Sequence, residues 1–116
     1  MDPVGPVQRQ LDAYNACDLE RFIAEYTDDI QVFKPPAAAP VLSGKKAFAE
    51  HYAKNRFNLP GLHAELVDRM VAGTTVVDHE RIAGLDNGVV DAIAVYQVSE
   101  GRIRAVWFHE VLTARA

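Results

Sequence analysis

Hydrophobic residues recur at helical spacing at the start of the chain. Four of them lie three or four positions apart: Val4, Val7, Leu11 and Tyr14. This spacing predicts one amphipathic helix that ends near 15–17. Asp18 then has the character of an N-cap, because its carboxylate can accept a hydrogen bond from the next turn. We expect a short second helix whose buried face consists of Leu19, Phe22, Ile23 and Tyr26.

The middle of the chain combines an extended segment with a third helix. Residues 30–34 predict a strand, which the following proline pair stops because proline cannot donate to a sheet ladder. A loop rich in proline and alanine follows. Ser43 can cap a third helix that runs to about residue 57, with Tyr52 on its buried face.

From residue 62 onward the hydrophobic period changes to two. This alternation predicts four strands, near 62–71, 75–83, 89–98 and 102–112. Turn signals separate the strands, and Asn87-Gly88 is the clearest because this pair favours a two-residue hairpin. Helices followed by an antiparallel meander predict an α+β fold, in which a curved sheet wraps a layer of helices and leaves a hollow.

Composition and charge exclude several classes of partner. The 116 residues carry a formal net charge of −4, and the 12 Lys and Arg are scattered, so we expect no nucleic-acid partner. No apolar run approaches the roughly 20 residues of a membrane span, so we expect no membrane partner. The first residues lack the pattern of a signal peptide, and Cys17 is the single cysteine. We therefore expect a cytoplasmic protein.

No motif indicates a metal ion or a cofactor. His51, His63 and His109 come from different predicted elements and lack the spacing of metal ligands. The chain has no nucleophile elbow, phosphate-binding loop or dinucleotide-binding motif. We expect no metal and no cofactor, so any chemistry would come from side chains.

Five segments carry a resemblance to a known family. They are 14–19 (YNACDL), 26–30 (YTDDI), 43–47 (SGKKA), 76–80 (VVDHE), and 101–103 (GRI) followed by 106–108 (VWF). On these segments the sequence resembles the nuclear transport factor 2-like superfamily, which includes ketosteroid isomerase, polyketide cyclases and SnoaL-like domains. The resemblance implies a single cone-shaped α+β domain over 1–116, with three N-terminal helices packed on a curved, mainly antiparallel sheet around a small-molecule pocket.

The residues that would carry isomerase chemistry differ in this chain. By the resemblance, the oxyanion-binding tyrosine falls at Gln10, the catalytic aspartate at Lys34 and the second acid near Ala94. A lysine ammonium cannot accept a proton at neutral pH, so we expect no steroid isomerisation by that mechanism. Two tyrosines that support the isomerase pocket do match, at Tyr26 and Tyr52.

Hairpin register predicts which side chains face the hollow. Turns at 72–74, 87–88 and 99–101 place one set inward: Glu65, Arg69, His79, Arg81, Tyr96, Phe108 and Glu110. The opposite face carries Leu66, Met70, Ile82, Ile93, Val95, Trp107 and Val111. A slip of one residue would exchange the two sets. The helices can cover only one face, and the resemblance implies a homodimer through the other.

The inward set provides candidates for binding and catalysis. His79 is the candidate catalytic base, because histidine titrates near neutral pH, and the alternative is a structural histidine. Glu65 with Arg81 can bind a polar ligand group or form an ion pair between strands. Tyr26 and Tyr52 can donate phenolic hydrogen bonds or serve as core aromatics.

Two functions remain open at the level of sequence. The first is a small-molecule-binding domain, with isomerase, cyclase or lyase chemistry by acid–base transfer on an apolar compound with one or two oxygens. Its site would lie between the third helix and the concave sheet face, where Ala92 and Ala94 leave space. The second is a non-catalytic dimeric module that binds a ligand or a protein.

Overall fold

The computed structural model describes residues 2–86 and 88–113 and has the α+β architecture that the sequence predicts. Three helices of the described chain pack on one six-stranded sheet. The helices are α1 (Val4–Asn15), α2 (Leu19–Ile23) and α3 (Lys45–Asn55). The strands are β1 (Tyr26–Phe33), β2 (Leu42–Ser43), β3 (His63–Ala72), β4 (Thr75–Leu85), β5 (Gly88–Ser99) and β6 (Arg102–Thr113). None of the described helices combines the length and apolar character needed to cross a membrane.

The sheet has the strand order β2-β1-β6-β5-β4-β3. Strands β3 to β6 form the antiparallel meander that the period of two predicts. β1 joins the meander by running parallel to β6, and the short β2 pairs antiparallel with β1 at the edge. The C-terminal strand therefore lies inside the sheet, between β1 and β5.

Local signals at the helix ends are only partly confirmed. Asp18 caps α2, since its Oδ1 accepts a hydrogen bond of 3.1 Å from the amide of Arg21. The cap predicted at Ser43 is wrong, because Ser43 ends β2 and Gly44, with a φ of 89°, is the N-cap of α3. Tyr26, predicted on the second helix, is the first residue of β1.

The predicted faces of β4 are wrong, and a bulge at Gly84 is the reason. The predicted turn ended this strand at Asp86, whereas its last pair in the structure is Leu85 with Gly88. The register then shifts by one residue between Leu85 and Ile82, where Gly84 has a φ of 88°. One extra residue in a strand exchanges the faces of every side chain beyond it.

Gly84 is held in this conformation by the segment that crosses it. A Cβ on Gly84 would overlap the carbonyl of Gly61 and come 2.6 Å from the amide nitrogen of Leu62. A positive φ combined with this close backbone approach leaves room for glycine alone. The bulge is therefore part of the backbone design, and it sets which face of β4 turns toward the helices.

The corrected register brings different side chains inward from β4. The inward residues are Val76, Asp78, Glu80 and Ile82. His79 and Arg81, predicted inward, lie on the outer face instead, and Ile82, predicted outward, is buried. The predicted pairing of Glu65 with Arg81 is confirmed, but both residues belong to the outer face.

A second bulge, in β3, restores the predicted direction of Arg69. The register of β3 shifts between Leu66 and Asp68, and Arg69 thereby comes opposite Asp78 on the inward face. Leu66, predicted on the outer face, precedes this shift and packs against the core. Two strand irregularities therefore account for the wrong assignments in β3 and β4.

The predicted faces of β5 and β6 are correct. Ala94 pairs with Phe108 and Ala92 with Glu110, two residues away from the predicted partners. A displacement by two preserves the side-chain face, since the period of a strand is two. Tyr96 is consequently buried on the inward face, as predicted.

An aromatic cluster joins the helices to the sheet. Phe22 of α2 lies at its centre, with ring centroids 5.1 Å from Tyr26 and 4.8 Å from Tyr52.

Asn15 attaches the end of α1 to β3, because its side-chain amide pairs with the backbone of Ala64 as a neighbouring strand would. Its side chain donates to the carbonyl of Ala64 at 2.9 Å and accepts from the amide of the same residue at 2.8 Å. These contacts hold α1 and α2 over the inward face of the sheet.

Candidate functional site

A small cavity lies between the helices and the inward face of the sheet. Its volume is about 40 Å³. Its lining comes from all three helical segments and five strands: Gln10, Leu11, Tyr14, Phe22, Tyr26, Tyr52, Arg56, Ala64, Glu80, Ile82, Tyr96, Phe108 and Glu110. A volume of this size holds a few water molecules. All four tyrosines of the sequence contribute to the lining.

Glu80 is the buried acid of this cavity. It projects inward from the middle of β4, opposite Ala92 of β5, and is 6% exposed. Its Oε2 is buried and has no hydrogen-bond partner among the described residues. Burying a carboxylate without a partner is costly, so such a group binds a proton or is completed by a ligand.

Burial raises the pKa of Glu80 to about 7. The neighbouring carboxylate of Asp78 contributes to this rise in pKa, and the guanidinium of Arg69 partly opposes it, so that about 7 is the net result. The carboxyl group therefore exchanges its proton near neutral pH, which is the range in which acid–base catalysis is most effective.

A bidentate ion pair beside Glu80 explains why this acid lacks a cation. Arg69 donates from Nε to Asp78 Oδ1 at 2.7 Å and from Nη2 to Asp78 Oδ2 at 2.9 Å. Its Nη1 donates to Gln8 Oε1 of α1 at 2.8 Å. Asp78 is fully buried, so it requires this partner. The guanidinium is thus committed to Asp78, and Glu80 two residues along is left with its unpaired oxygen.

Gln10 orders two of the tyrosines around the cavity. The hydroxyl of Tyr26 donates to Gln10 Oε1 at 2.9 Å. Gln10 Nε2 donates to the hydroxyl oxygen of Tyr96 at 3.3 Å and to the carbonyl of Val7 at 3.0 Å. Because the Tyr96 oxygen accepts this bond, its own proton remains for another acceptor. Burial raises the pKa of Tyr26 and Tyr96, so both phenols stay protonated at neutral pH.

A wider cavity of about 290 Å³ opens next to the inner one. Four side chains line both cavities and form the neck between them: Tyr52, Arg56, Phe108 and Glu110. The wider cavity is bounded on its other side by Lys34, Val41 and His51. Lys34 Nζ lies 3.4 Å from Glu110 Oε1. Glu80 lines only the inner cavity, and the wider cavity, which we call the outer chamber, adjoins it at these four side chains.

The structure brings together most of the pocket residues predicted from sequence. Tyr26, Tyr52, Tyr96, Phe108 and Glu110 line the inner cavity. Arg69 also faces inward, but it does not line this cavity and serves Asp78 instead.

The predicted inward positions of Glu65, His79 and Arg81 are wrong. His79 Nε2 lies 3.0 Å from Asp91 Oδ1 on the outer face, and Arg81 Nε lies 3.5 Å from the same oxygen. Arg81 Nη1 also lies 3.9 Å from Glu65 Oε1. The bulge at Gly84 turned this half of β4 over, so the basis for a catalytic His79 is removed.

The sequence did not point to Glu80, which follows His79 directly in β4. The missing signal was the isolated Gly84 within an otherwise regular strand pattern, since such a glycine often marks a bulge. Gln10 was recognised only as a departure from the isomerase pattern, and Tyr14 only as a helix core residue. No sequence pattern indicated a site role for Arg56, because its position depends on how α3 ends.

The region of the sequence that matches a known protein family includes most of the residues of this site. The model of the SnoaL-like domain matches residues 7–106. The chain belongs to the SnoaL-like family. The matched region includes every residue lining the inner cavity except Phe108 and Glu110. No protein of curated function matches the sequence significantly.

Solved structures share the fold of this SnoaL-like domain. An uncharacterised cystatin fold protein from Novosphingobium aromaticivorans is 25% identical, with a TM-score of 0.83 over 94% of this chain and 98% of that one. A nuclear transport factor 2-like protein of unknown function from Cytophaga hutchinsonii is 12% identical, with a TM-score of 0.81 over 96% and 91%. A proposed ketosteroid isomerase from Kribbella flavida is 13% identical, with a TM-score of 0.81 over 98% and 81%. The predicted nuclear transport factor 2-like fold is confirmed.

The raised pKa of Glu80 predicts a pH-dependent contribution to stability. The pKa rises from 4.5 to about 7 on folding, so the folded state holds the proton more tightly than the unfolded state. The contribution of Glu80 to the free energy of unfolding is therefore greatest below pH 4.5. This contribution is lost as the pH rises through about 7, by an amount on the order of 3 kcal/mol. Glu80→Gln removes this dependence, so its stability relative to wild type rises over the same range.

Urea unfolding of both proteins across this pH range measures the effect. Glu65→Gln, at an exposed glutamate of the outer face, controls for the loss of one charge. A constant difference in unfolding free energy between wild type and Glu80→Gln would show that Glu80 titrates alike in both states.

Proposed function

We propose that this SnoaL-like domain binds a small, largely apolar compound with one or two oxygens and exchanges a proton with it through Glu80. The reaction class is isomerisation, cyclisation or elimination. One observation carries the proposal: the buried Glu80 carboxyl has an unpartnered oxygen and belongs to a cavity lined by four tyrosines. Glu80 thus replaces His79 as the candidate acid–base group.

The surroundings of Glu80 suit proton transfer to carbon. Burial strengthens the electrostatic interactions of a carboxylate, and a pKa of about 7 lets it act as base or acid near neutral pH. The uncommitted proton of Tyr96 is a candidate donor to a ligand oxygen on which negative charge develops. A base and a phenolic donor around one cavity are the groups that enolisation requires.

The two cavities set the size of the ligand. The inner space of about 40 Å³ accepts a carbonyl or hydroxyl group, and the outer chamber of about 290 Å³ accepts the remainder. These volumes favour a compound of one or two rings, or a short chain, over a steroid. The replacement of the isomerase groups by Gln10, Lys34 and Ala94 argues in the same direction.

Hydrogen–deuterium exchange tests the proposed chemistry without knowledge of the substrate. The panel consists of small cyclic ketones and 1,3-diketones in deuterated buffer, with one unsaturated ketosteroid added. For panel members that fit, the carboxylate of Glu80 takes a proton from the carbon next to the carbonyl, and the C–H electron pair moves into an enolate. Return of deuterium to that carbon labels the compound. We expect exchange above the buffer rate, with a pH–rate midpoint of about 7.

Two variants and the ketosteroid complete this test. Glu80→Gln should reduce exchange by about 100-fold or more, because the general base is lost. His79→Gln, on the outer face, should leave it unchanged. The ketosteroid should remain at the buffer rate. Exchange at the buffer rate for the whole panel, or full exchange by Glu80→Gln, would contradict the proposal.

The alternative is a non-catalytic dimeric module, and the outer face of the sheet favours it. Apolar side chains remain exposed there, including Met70 at 64% and Val111 at 67%. Trp107 of β6 stacks on Phe33 of β1 on the same face, with ring centroids 5.2 Å apart. Exposed apolar surface of this kind marks interaction sites. Dimerisation is also compatible with the acid–base proposal, since the two surfaces are opposite faces of one sheet.

We expect a homodimer through the outer face carrying Ile93, Val95 and Trp107. Trp107→Glu should yield monomers, because a buried charge in the interface would lack a partner. Ile93→Glu, 38% exposed in the monomer, tests the same face without removing the Trp107 stack. Sedimentation velocity at micromolar concentration measures both. A wild-type protein that sediments as a monomer would exclude the dimer.

A further inference from the structure

The outer chamber combines an apolar wall with an unpaired guanidinium. The wall consists of Val32, Val41, Leu42, Tyr52 and Phe108. Arg56 lines this chamber and the inner cavity. It is the C-cap of α3, where φ of −134° and ψ of −60° turn the chain out of the helix. The departure of the backbone from the helix brings this arginine to the neck.

Arg56 has no carboxylate within ion-pair distance among the described residues. Its Nη1 donates to the carbonyl of Asn55 at 2.9 Å. The positive charge of Arg56 also opposes the increase that burial causes in the pKa of the nearby Tyr14 phenol. A guanidinium has five N–H donors in a planar fork that matches a carboxylate. Neutral partners leave both the charge and part of the fork available.

The other charged groups of the chamber do not neutralise Arg56. Glu110 lies next to Lys34, with 3.4 Å between Oε1 and Nζ. Burial lowers the pKa of His51, and the nearby charges of Arg56 and Lys34 lower it further, so His51 is neutral at neutral pH. The charged side chains that line the chamber are therefore two cations and one carboxylate, which leaves one positive charge.

We infer that the outer chamber is a carboxylate-binding subsite, and that the ligand is a small monocarboxylate with an apolar body. The carboxylate binds the guanidinium of Arg56, while the apolar body packs against Tyr52 and Phe108. This inference uses the same cavity as the proposed function and adds the charge and orientation of its ligand.

Glu80 determines the direction of the ligand. A second anion at the inner end would meet the Glu80 carboxylate without a cation of its own, since Arg69 is bound to Asp78 and Arg56 holds the first carboxylate. The inner end of the ligand is therefore neutral, as a carbonyl or hydroxyl group. The substrate class that fits both ends is an oxo- or hydroxy-substituted cyclic or short-chain monocarboxylate.

Three probes of nearly one shape test the subsite: benzoate, neutral benzamide and cationic benzylamine. Their affinities are measured by NMR titration of labelled protein at neutral pH and low ionic strength, with the signals of Tyr52 and Phe108 as reporters. We expect benzoate to bind about tenfold more tightly than benzamide, as a charge-assisted bidentate contact adds this much, and benzylamine to bind least. Arg56→Met should reduce benzoate affinity to that of benzamide and leave benzamide unchanged.

Arg104→Met, at an exposed arginine of β6, is the matched control and should keep the preference. Glu80→Gln should also keep it, so a failure of the exchange chemistry and a failure of this subsite are separable. Equal affinities of benzoate and benzamide for the wild-type protein would overturn the inference even if Arg56→Met does not fold. Binding of neither probe, or a preference that persists in Arg56→Met, would overturn it as well. Inorganic phosphate binding as tightly as benzoate would show a general anion site and overturn the assignment to a carboxylate.

Discussion

Two carboxylates from one strand enter the same apolar interior, and one guanidinium pairs with the first of them. Asp78 and Glu80 project inward from alternate positions of β4. Arg69 binds Asp78 through both oxygens, at 2.7 and 2.9 Å, and Glu80 is left with a buried oxygen that has no partner among the described residues. Uncompensated burial opposes ionisation, so the proton stays on Glu80 until about neutral pH. The proposed chemistry depends on this difference in pairing: Asp78 has a guanidinium partner and Glu80 has none.

The backbone bulge in β4 and a contact from α1 maintain this difference in pairing between Asp78 and Glu80. Gly84 permits the bulge that turns Asp78 and Glu80 inward, and Gln8 of α1 accepts the remaining hydrogen bond of Arg69 at 2.8 Å. Because a helix residue completes the Arg69 contacts, the ion pair also positions α1 over the sheet. Structural and chemical roles are thereby divided between two acids that differ by two positions in sequence.

Much of the fold could be predicted from sequence, whereas the acid at the centre of the site could not. The spacing of residues such as Val7 and Leu11, and the later alternation, gave the helices and the meander because these periods are local. Strand faces depend on every turn and bulge in succession, so Gly84 alone moved His79 outward and Glu80 inward. Tyr96 retained its predicted side because the register error between β5 and β6 was two residues. The role of Arg56 follows from the end of α3 in three dimensions, which no sequence period encodes.

The most direct test of this account is the titration of Glu80 itself, followed by the carboxyl ¹³C chemical shift in the ligand-free protein. We predict a midpoint of about 7, with a lower value in Asp78→Asn because the neighbouring negative charge is removed. A midpoint near the ordinary value of 4.5 would contradict the account, since Glu80 would then be ionised at neutral pH like an exposed acid.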